Sequence, residues 1–186
     1  MRTIAIIGAT ATGCALAAAA ARAGYAVVLE DVSREARDRG IAAISKLLRD
    51  RRGSDASSEG LAAGLRDIST ASTVEDAIRD AELIIEAVPE ELEMKLELFT
   101  IFDKFAKPDA IFISTAETLS ILDISDVTIR RDRCMGMHFT RAESTEGTLE
   151  LVPTSLTSPE TLRICGEVAQ RLARNVRIVQ GAGPAG

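Results

Sequence analysis

The sequence predicts an α/β fold, a doubly wound and mostly parallel sheet with helices on both of its faces. Short apolar runs alternate along the 186 residues with segments of helical length, and this alternation produces parallel strands joined by helical crossovers. Hydrophobic residues make up 46% of the chain and charged residues 27%, proportions typical of a globular domain with a sizeable core. We therefore expect a single domain over residues 1–186.

The first βαβ unit occupies residues 3–31, which read TIAIIGATATGCALAAAAARAGYAVVLED. The apolar residues 4–7 predict a strand, the alanine-rich residues 14–23 a helix, and residues 26–29 a second strand. A tight turn of small residues separates the first strand from the helix. This arrangement is typical of the unit that opens a Rossmann-type dinucleotide-binding fold.

The turn predicts a site for a pyrophosphate, because glycines allow close approach and a helix N-terminus attracts an anion. The predicted pyrophosphate-binding residues are Gly8, Thr10, Ala11, Thr12 and Gly13. A complete G-x-G-x-x-G pattern would have glycine in place of Thr10, so either the turn moves outward or the Thr10 hydroxyl binds a phosphate oxygen. Asp31, 23 residues after Gly8, is expected to bind the adenine ribose and to favour NAD over NADP. The alternative is a unit that only packs the sheet.

Charge and cysteine content exclude several classes of partner. The net charge of −6 and the absence of a basic run argue against nucleic acid. The three cysteines are widely spaced and form no C-x-x-C pair, so neither a metal site nor a disulfide framework is expected. The first strand begins within a few residues of the N-terminus, and no apolar segment has the length of a membrane span. The sequence therefore predicts a cytoplasmic protein without a membrane partner.

The elements after the first unit follow from periodicity and turn signals. Residues 34–51 predict a long polar helix whose apolar positions recur at helical spacing. The Ser-, Gly- and Asp-rich residues 51–60 predict a flexible connection. A short apolar piece at residues 65–68 is expected to form the third strand. Residues 74–79 predict a short helix, capped by a hydroxyl residue and acidic in its first turn.

The second half of the sheet is predicted from the same signals. Residues 81–88 form the most apolar strand, and Pro89 opens the turn into a helix that ends near residue 105. Ser158 and Pro159 are a strong helix start. The remaining expected elements are a strand at 110–114, a loop at 115–120, a short helix at 122–127, strands at 134–139 and 148–152 around a polar loop at 140–147, a helix at 159–173 and a strand at 176–180.

Six segments together resemble a known family. They are IAIIGATATG with LEDVS, IIEAVPEELEMK, STAETLSI, GMHF and LELV. In order and spacing they resemble the N-terminal, NAD-binding domain of the L-3-hydroxyacyl-CoA dehydrogenase family over essentially the whole chain. The resemblance implies hydride transfer between NAD and the 3-position of a fatty acyl thioester. It also implies a C-terminal helical domain that completes the acyl-CoA site and makes the dimer, and we expect residues 1–186 to lack that domain.

The resemblance assigns roles to individual positions. The family's histidine, which takes the hydroxyl proton, corresponds to His138, and the glutamate that orients it corresponds to Glu150. An imidazole suits this role because it is neutral near neutral pH, and a carboxylate can hold its second nitrogen. The residues expected to contact the nicotinamide half of the cofactor are Ala87, Val88, Glu90, Lys95 and Thr115. The alternative is that His138 is a core residue and that Glu150 is merely solvated.

Two departures from the family pattern affect the substrate site. The family loop reads S-N-T-S-S-L at residues 114–119, so its substrate-contacting serine corresponds to Glu117 and its asparagine to Thr115. A carboxylate there would repel a substrate oxygen unless it is protonated or paired, for example with Lys95 or an arginine. The Asn-Pro that usually follows the histidine is replaced at Arg141 and Ala142.

Three functions remain open from the sequence. The first is an NAD-dependent 3-hydroxyacyl-thioester dehydrogenase domain, acting on an acyl-CoA or on an atypical or carrier-protein-bound acyl group. The second is a Rossmann module without catalysis that binds nucleotide weakly or serves as an interaction surface. The third is a dehydrogenase of a small free 3-hydroxy acid, whose carboxylate Arg141 would meet. The surface left without the helical domain would favour a homo-oligomer.

Overall fold

The protein's structure, a computed structural model, describes residues 3–49, 65–140, 148–173 and 175–179. The predicted connection at 51–60 and the polar loop that contains Arg141 lie outside the described residues. The same holds for the end of the last predicted strand.

Within the described residues, eight strands form one sheet in the order β3-β2-β1-β4-β5-β6-β7-β8. All neighbouring pairs are parallel except β6 and β7, which are antiparallel. The strands are β1 (Thr3–Ile7), β2 (Ala26–Glu30), β3 (Ile68–Ala71), β4 (Leu83–Glu86), β5 (Ile111–Ser114), β6 (Cys134–Thr140), β7 (Thr148–Pro153) and β8 (Asn175–Ile178). The predicted α/β fold with a mostly parallel sheet is confirmed.

Helices cover both faces of the sheet, as predicted. They are α1 (Ala11–Arg22), α2 (Arg34–Arg49), α3 (Val74–Ile78), α4 (Leu92–Phe105), α5 (Ile121–Ser125) and α6 (Pro159–Leu172), with one 3₁₀ turn at Arg131–Arg133. Apolar residues of α1, α2 and α6 pack on one face, and those of α3, α4 and α5 pack on the other. Along β1, Ile4 and Ile6 belong to the first core and Ala5 and Ile7 to the second. This two-sided burial explains why the strand is a continuous apolar run.

Two elements begin three residues away from their predicted starts. The third strand is Ile68–Ala71 rather than 65–68, because residues 65–66 are helical. An edge strand with polar residues along it lacks the apolar run on which the prediction relied. Helix α1 begins at Ala11, not at residue 14, because the side chain of Thr10 caps it by accepting the Gly13 N–H. The glycine pattern therefore lies partly inside the helix.

The strand order reverses direction at β1, which lies between β2 and β4. The connection from β1 leads to β2 on one side, and the connection from β3 returns to β4 on the other side. In open α/β sheets this reversal leaves a crevice at the carboxyl ends of the strands, where ligands bind. The candidate residues lie at this edge.

Candidate active site

The turn after β1, residues Gly8–Gly13, requires glycine at both of its ends; we call it the glycine turn. Gly8 has φ +109°, and a Cβ there would lie 2.6 Å from the carbonyl oxygen of Ala87. A Cβ at Gly13 would lie 2.1 Å from the carbonyl oxygen of Gly8. Both contacts are with backbone, which cannot move aside cheaply. The turn is therefore packed against the end of β4 as closely as the chain allows.

Thr10 ties the glycine turn to β4. Its hydroxyl donates to the carbonyl of Ala87 at 2.8 Å and accepts the N–H of Gly13 at 3.2 Å. The hydroxyl proton is therefore engaged within the protein, and one N–H of the first turn of α1 is capped by protein. The two expectations for Thr10, an outward shift of the turn or a bond to phosphate, stay untested. The first helical residues, Ala11 and Thr12, carry N–H groups that have no acceptor within a helix.

Two adjacent carboxyl groups lie at the end of β2. Asp31 Oδ2 accepts the N–H of Ala9 at 2.8 Å, which places this side chain directly beside the glycine turn. Arg37 donates to the carbonyl oxygen of Asp31 at 2.7 Å. Glu30 is 5% exposed; burial raises the pKa of its carboxyl to about 7, and the negative charge of Asp31 adds to this effect. The sequence analysis did not single out Glu30 as a titrating group.

A cavity of about 290 Å³ opens at the carboxyl ends of β1, β4 and β5. It is lined by Thr10, Thr12, Ala87, Val88, Pro89, Glu90, Thr115, Glu117 and Thr118. The cavity therefore brings together residues from the glycine turn and predicted nicotinamide-contacting residues from the ends of β4 and β5. Lys95, His138 and Glu150 are not among the residues that line it.

Below the cavity lies a fully buried cluster of Glu86, Lys95 and Ser114, which we call the ionic cluster. Lys95 Nζ donates to Glu86 Oε1 at 2.7 Å and to the carbonyl of Val88 at 3.3 Å. The hydroxyl of Ser114 donates to Glu86 Oε2 at 2.6 Å. All three side chains are 0% exposed, so Lys95 acts on the cavity only through its neighbours. The sequence analysis missed Glu86 and Ser114 as site residues; the signal available was a charged residue that ends an otherwise apolar strand.

Glu90 holds residues 115–119, which we call the clamped segment. Its Oε1 accepts the backbone N–H groups of residues 117–119 at 3.0, 2.8 and 3.1 Å and the hydroxyl of Thr118 at 3.0 Å. The ammonium of Lys95 lies 3.7 Å from Oε2. Partial burial acts to raise the pKa of Glu90, but these hydrogen bonds and the Lys95 charge outweigh it and lower the pKa. Glu90 is therefore an anionic anchor for the loop after β5.

Glu117 lines the cavity and is exposed. The suggested pairing of Glu117 with Lys95 is wrong, because the ammonium of Lys95 is buried between Glu86 and Glu90. Within the described ranges the ion pairs include none for Glu117. The carboxylate thus stands at the cavity wall where the family resemblance places a serine.

His138 and Glu150 lie directly opposite each other in the antiparallel pair of β6 and β7. The His138 ring, however, has its Nε2 2.7 Å from the carbonyl oxygen of Ala116 in the clamped segment. In the part of the chain that the structure describes, neither a hydrogen bond nor an ion pair joins the side chains of His138 and Glu150. The predicted pair is therefore adjacent in the sheet, and its chemical contact stays a prediction.

The described residues include neither a metal-binding cluster nor a membrane-spanning helix. Among these residues, no three His, Cys, Asp or Glu side chains are grouped so as to hold a metal ion. The helices described for residues 3–49, 65–140 and 148–173 include none that is both long and apolar enough to cross a membrane.

The chain is similar to known dehydrogenases along most of its length. The family described as 3-hydroxyacyl-CoA dehydrogenase, NAD binding domain, matches residues 3–181. The human mitochondrial hydroxyacyl-coenzyme A dehydrogenase is 29% identical over 182 residues, covering 94% of this chain and 58% of the human protein. A probable 3-hydroxybutyryl-CoA dehydrogenase of Bacillus subtilis strain 168 is 30% identical over 175 residues, covering 94% of this chain and 61% of the bacterial protein.

The structural likeness agrees with the sequence likeness. The (S)-3-hydroxybutyryl-CoA dehydrogenase of Ralstonia eutropha superposes with a TM-score of 0.90 at 27% identity, over 98% of this chain and 64% of that one. The chain thus spans about three fifths of the length of these relatives. These matches confirm the predicted family resemblance, the Rossmann-type fold and NAD as the cofactor.

Proposed function

Because the chain belongs to the 3-hydroxyacyl-CoA dehydrogenase family, as its NAD-binding domain, we propose that it is the cofactor-binding part of an NAD-dependent oxidoreductase that interconverts 3-hydroxyacyl and 3-ketoacyl thioesters. The observation that carries this proposal is the cavity shared by the glycine turn and the ends of β4 and β5. It lies where a Rossmann-type sheet binds its dinucleotide.

The residues at this edge fit NAD. A Cβ at Gly8 or Gly13 would fill the space in which the turn approaches β4, and such close turns accept a pyrophosphate. The position of Asp31 beside this turn supports its proposed bond to the adenine ribose. Val88, Glu90 and Thr115 line the other part of the cavity and are proposed to contact the nicotinamide half. When bound, NAD supplies the hydride acceptor.

His138 is proposed to take the proton of the substrate hydroxyl, with Glu150 on the facing strand to stabilise the imidazolium. Glu117 is proposed to lie near the substrate oxygen, and its carboxylate motivates an atypical or carrier-protein-bound acyl group. A substrate that presents a hydrogen-bond donor to Glu117 would suit this wall better than an anionic oxygen. Association of the chain with itself is a further proposal.

The first test is a titration with NADH followed by the nicotinamide's own fluorescence. The chain has no Trp and one Tyr, so protein emission interferes little. We expect saturable binding that Asp31→Ala weakens, because the ribose loses its acceptor. Asp109→Ala is the matched control, because Asp109 is exposed and precedes β5 at the other edge of the sheet. Absence of binding at millimolar NADH would favour the module without catalysis.

The second test is a comparison of substrates in the full-length protein. We expect NADH-dependent reduction of a 3-ketoacyl thioester to exceed that of the matching free 3-keto acid, and His138→Ala to abolish it. A preference for the free acid would favour the small-acid dehydrogenase instead. Activity on ordinary 3-hydroxybutyryl-CoA at rates typical of the family would contradict the proposal of an atypical acyl group but not the proposed dehydrogenase activity.

A further inference from the structure

The cavity has an acidic end, formed by Glu90 and Glu117 in the loops after β4 and β5. In the part of the chain that the structure describes, neither a lysine nor an arginine lines the cavity. The ammonium of Lys95 lies 3.7 Å from Glu90 Oε2, but it also lies 2.7 Å from Glu86 Oε1. One ammonium therefore faces two carboxyl groups, and Glu117 adds a third, so negative charge is in excess at this end.

The two carboxylates of the acidic end differ in what they contact. Glu90 Oε1 accepts three backbone N–H groups and the hydroxyl of Thr118, so its charge is directed at the clamped segment. Glu117 is held by its backbone, whose N–H donates to Glu90 at 3.0 Å. Its side chain is exposed and lines the cavity. Glu117 therefore presents a carboxylate to a molecule that occupies the cavity.

The oxidised and reduced forms of the cofactor differ in charge at one place. The nicotinamide ring is a cation in NAD⁺ and neutral in NADH, whereas the pyrophosphate, the riboses and the adenine are the same in both. A carboxylate near the ring attracts the cation and has no comparable attraction for the neutral ring. The ratio of the two affinities therefore measures the charge beside the ring, because the contributions of the common parts cancel.

We propose that Glu117 shifts the equilibrium between bound NAD⁺ and bound NADH toward NAD⁺. The inference rests on the proposed function, which assigns the acidic end of the cavity to the nicotinamide half. In that reaction a hydride passes from NADH to C3 of the 3-ketoacyl group, whose oxygen takes a proton. The ring gains its positive charge in this direction, so the carboxylate favours reduction of the ketone on the protein. A serine, which the family resemblance places at this position, carries no such charge.

The test measures the affinity of the protein for each form of the cofactor in the absence of substrate. NADH is titrated by its own fluorescence, and NAD⁺ by its displacement of NADH. In Glu117→Gln, which keeps the shape and removes the charge, the dissociation constant of NAD⁺ divided by that of NADH should rise roughly threefold to fivefold. This size is expected because two unit charges several ångströms apart attract by little more than the thermal energy when water surrounds one of them.

Three further variants separate the charge of Glu117 from its shape and from general effects. Glu117→Ser also removes the charge and should raise the ratio as much as Glu117→Gln, despite its smaller size. Glu117→Lys reverses the charge and should raise the ratio further, roughly tenfold above that of the unchanged protein. Glu93→Gln removes an exposed carboxylate on α4 that does not line the cavity, so it should leave the ratio as it is.

An unchanged ratio in Glu117→Gln would overturn the proposal, and so would a ratio that falls in Glu117→Lys. A loss of both affinities by the same factor would assign Glu117 a structural role and would overturn the proposal as well. A protein that binds neither NAD⁺ nor NADH would overturn the proposed function together with this inference. Binding of both with an unchanged ratio would overturn the inference alone, so the two failures are distinguishable.

Discussion

The carboxyl edge of the sheet is built differently at its two halves. Beside β1 and β2, the glycine turn is shaped by backbone contacts and by hydrogen bonds of Thr10 and Asp31 with nearby main chain. Beside β4 and β5, the edge is held by three charged side chains. Glu86 and Lys95 of the ionic cluster are buried, and Glu90 lies at the surface beside them. The half beside β1 and β2 has no space for added side-chain atoms at its glycines, whereas the half beside β4 and β5 depends on ion pairs.

This difference predicts different sensitivities. The glycine turn, which depends on excluded volume, should lose stability when a methyl group is added, even though no charge changes. The ionic cluster, which depends on buried charge, should lose stability when a charge is removed, even though the side-chain volume is kept. Substitutions of each kind therefore test whether the two halves differ as the contacts indicate.

The largest effect is expected for Lys95→Met, which keeps most of the volume and removes the charge. Glu86 would be left buried without its cation, and breaking a buried ion pair in this way costs about 3–5 kcal/mol. Urea unfolding should show this loss in the free energy of unfolding. Lys104→Met, on the exposed side of the same helix, is the matched control; a loss for Lys95→Met no greater than for Lys104→Met would contradict the role of the ionic cluster.

Glu30 is the charged exception in the glycine half, and it predicts a pH dependence. Burial raises the pKa of Glu30 from its ordinary value of 4.5 to about 7. At a pH between these two pKa values, the Glu30 carboxyl is protonated in the folded protein and ionised in the unfolded chain. The stabilisation is therefore complete below pH 4.5 and is lost as the pH rises to about 7, by about 3 kcal/mol for a shift of this size.

Unfolding free energies measured near pH 5 and near pH 8 would check this sign. In Glu30→Gln the difference between the two values should shrink, because the amide does not titrate. Glu35→Gln, an exposed glutamate in the first turn of α2, should leave the difference as it is. A free energy of unfolding that rises from pH 5 to pH 8, with that rise lost in Glu30→Gln, would contradict the prediction.

Gly13→Ala tests the excluded volume of the glycine turn. The new methyl carbon would lie 2.1 Å from the carbonyl oxygen of Gly8, so the turn must shift, which costs about 1–3 kcal/mol. NADH binding should weaken together with stability, as judged by fluorescence titration and urea unfolding. Gly166→Ala in α6 meets no atom within 4 Å and should instead stabilise the helix by about 0.5–1 kcal/mol.

Much of the fold could be predicted because its signals are local. Apolar runs, caps and turn residues predicted seven of the eight strands that the structure describes, and the spacing of the glycines predicted the glycine turn. The strand Ile68–Ala71 escaped because an exposed edge strand needs no apolar face. The family match also identified the segments that meet at the edge of the sheet.

The site could be predicted less well, because its contacts join residues that are distant in the chain. Ser114 reaches Glu86 across 28 positions, and His138 reaches Ala116 across 22. No periodicity encodes such a contact. A glutamate that ends an apolar strand gives no sign of whether it faces water or a lysine, so the ionic cluster became visible only in three dimensions.

The smallest expected effect is that of Thr10→Gly, which restores the complete glycine pattern. The hydroxyl of Thr10 now takes the N–H of Gly13 and donates to Ala87. Its removal should lower the free energy of unfolding by about 1 kcal/mol, because a cap and a hydrogen bond to β4 are lost. It should also free one N–H at the start of α1 for the pyrophosphate, so NADH should bind roughly fivefold more tightly.

Thr10→Ser keeps the hydroxyl and is the matched control, expected to change neither stability nor binding appreciably. The sign of the change in affinity is the decisive result. Weaker binding by Thr10→Gly would mean that the hydroxyl itself holds the cofactor, and the glycine half would then bind through a side chain. Tighter binding would mean that Thr10 lowers the affinity for NADH while it stabilises the contact between the glycine turn and the end of β4. The reason is that the N–H of Gly13 cannot donate to both the Thr10 hydroxyl and the ligand.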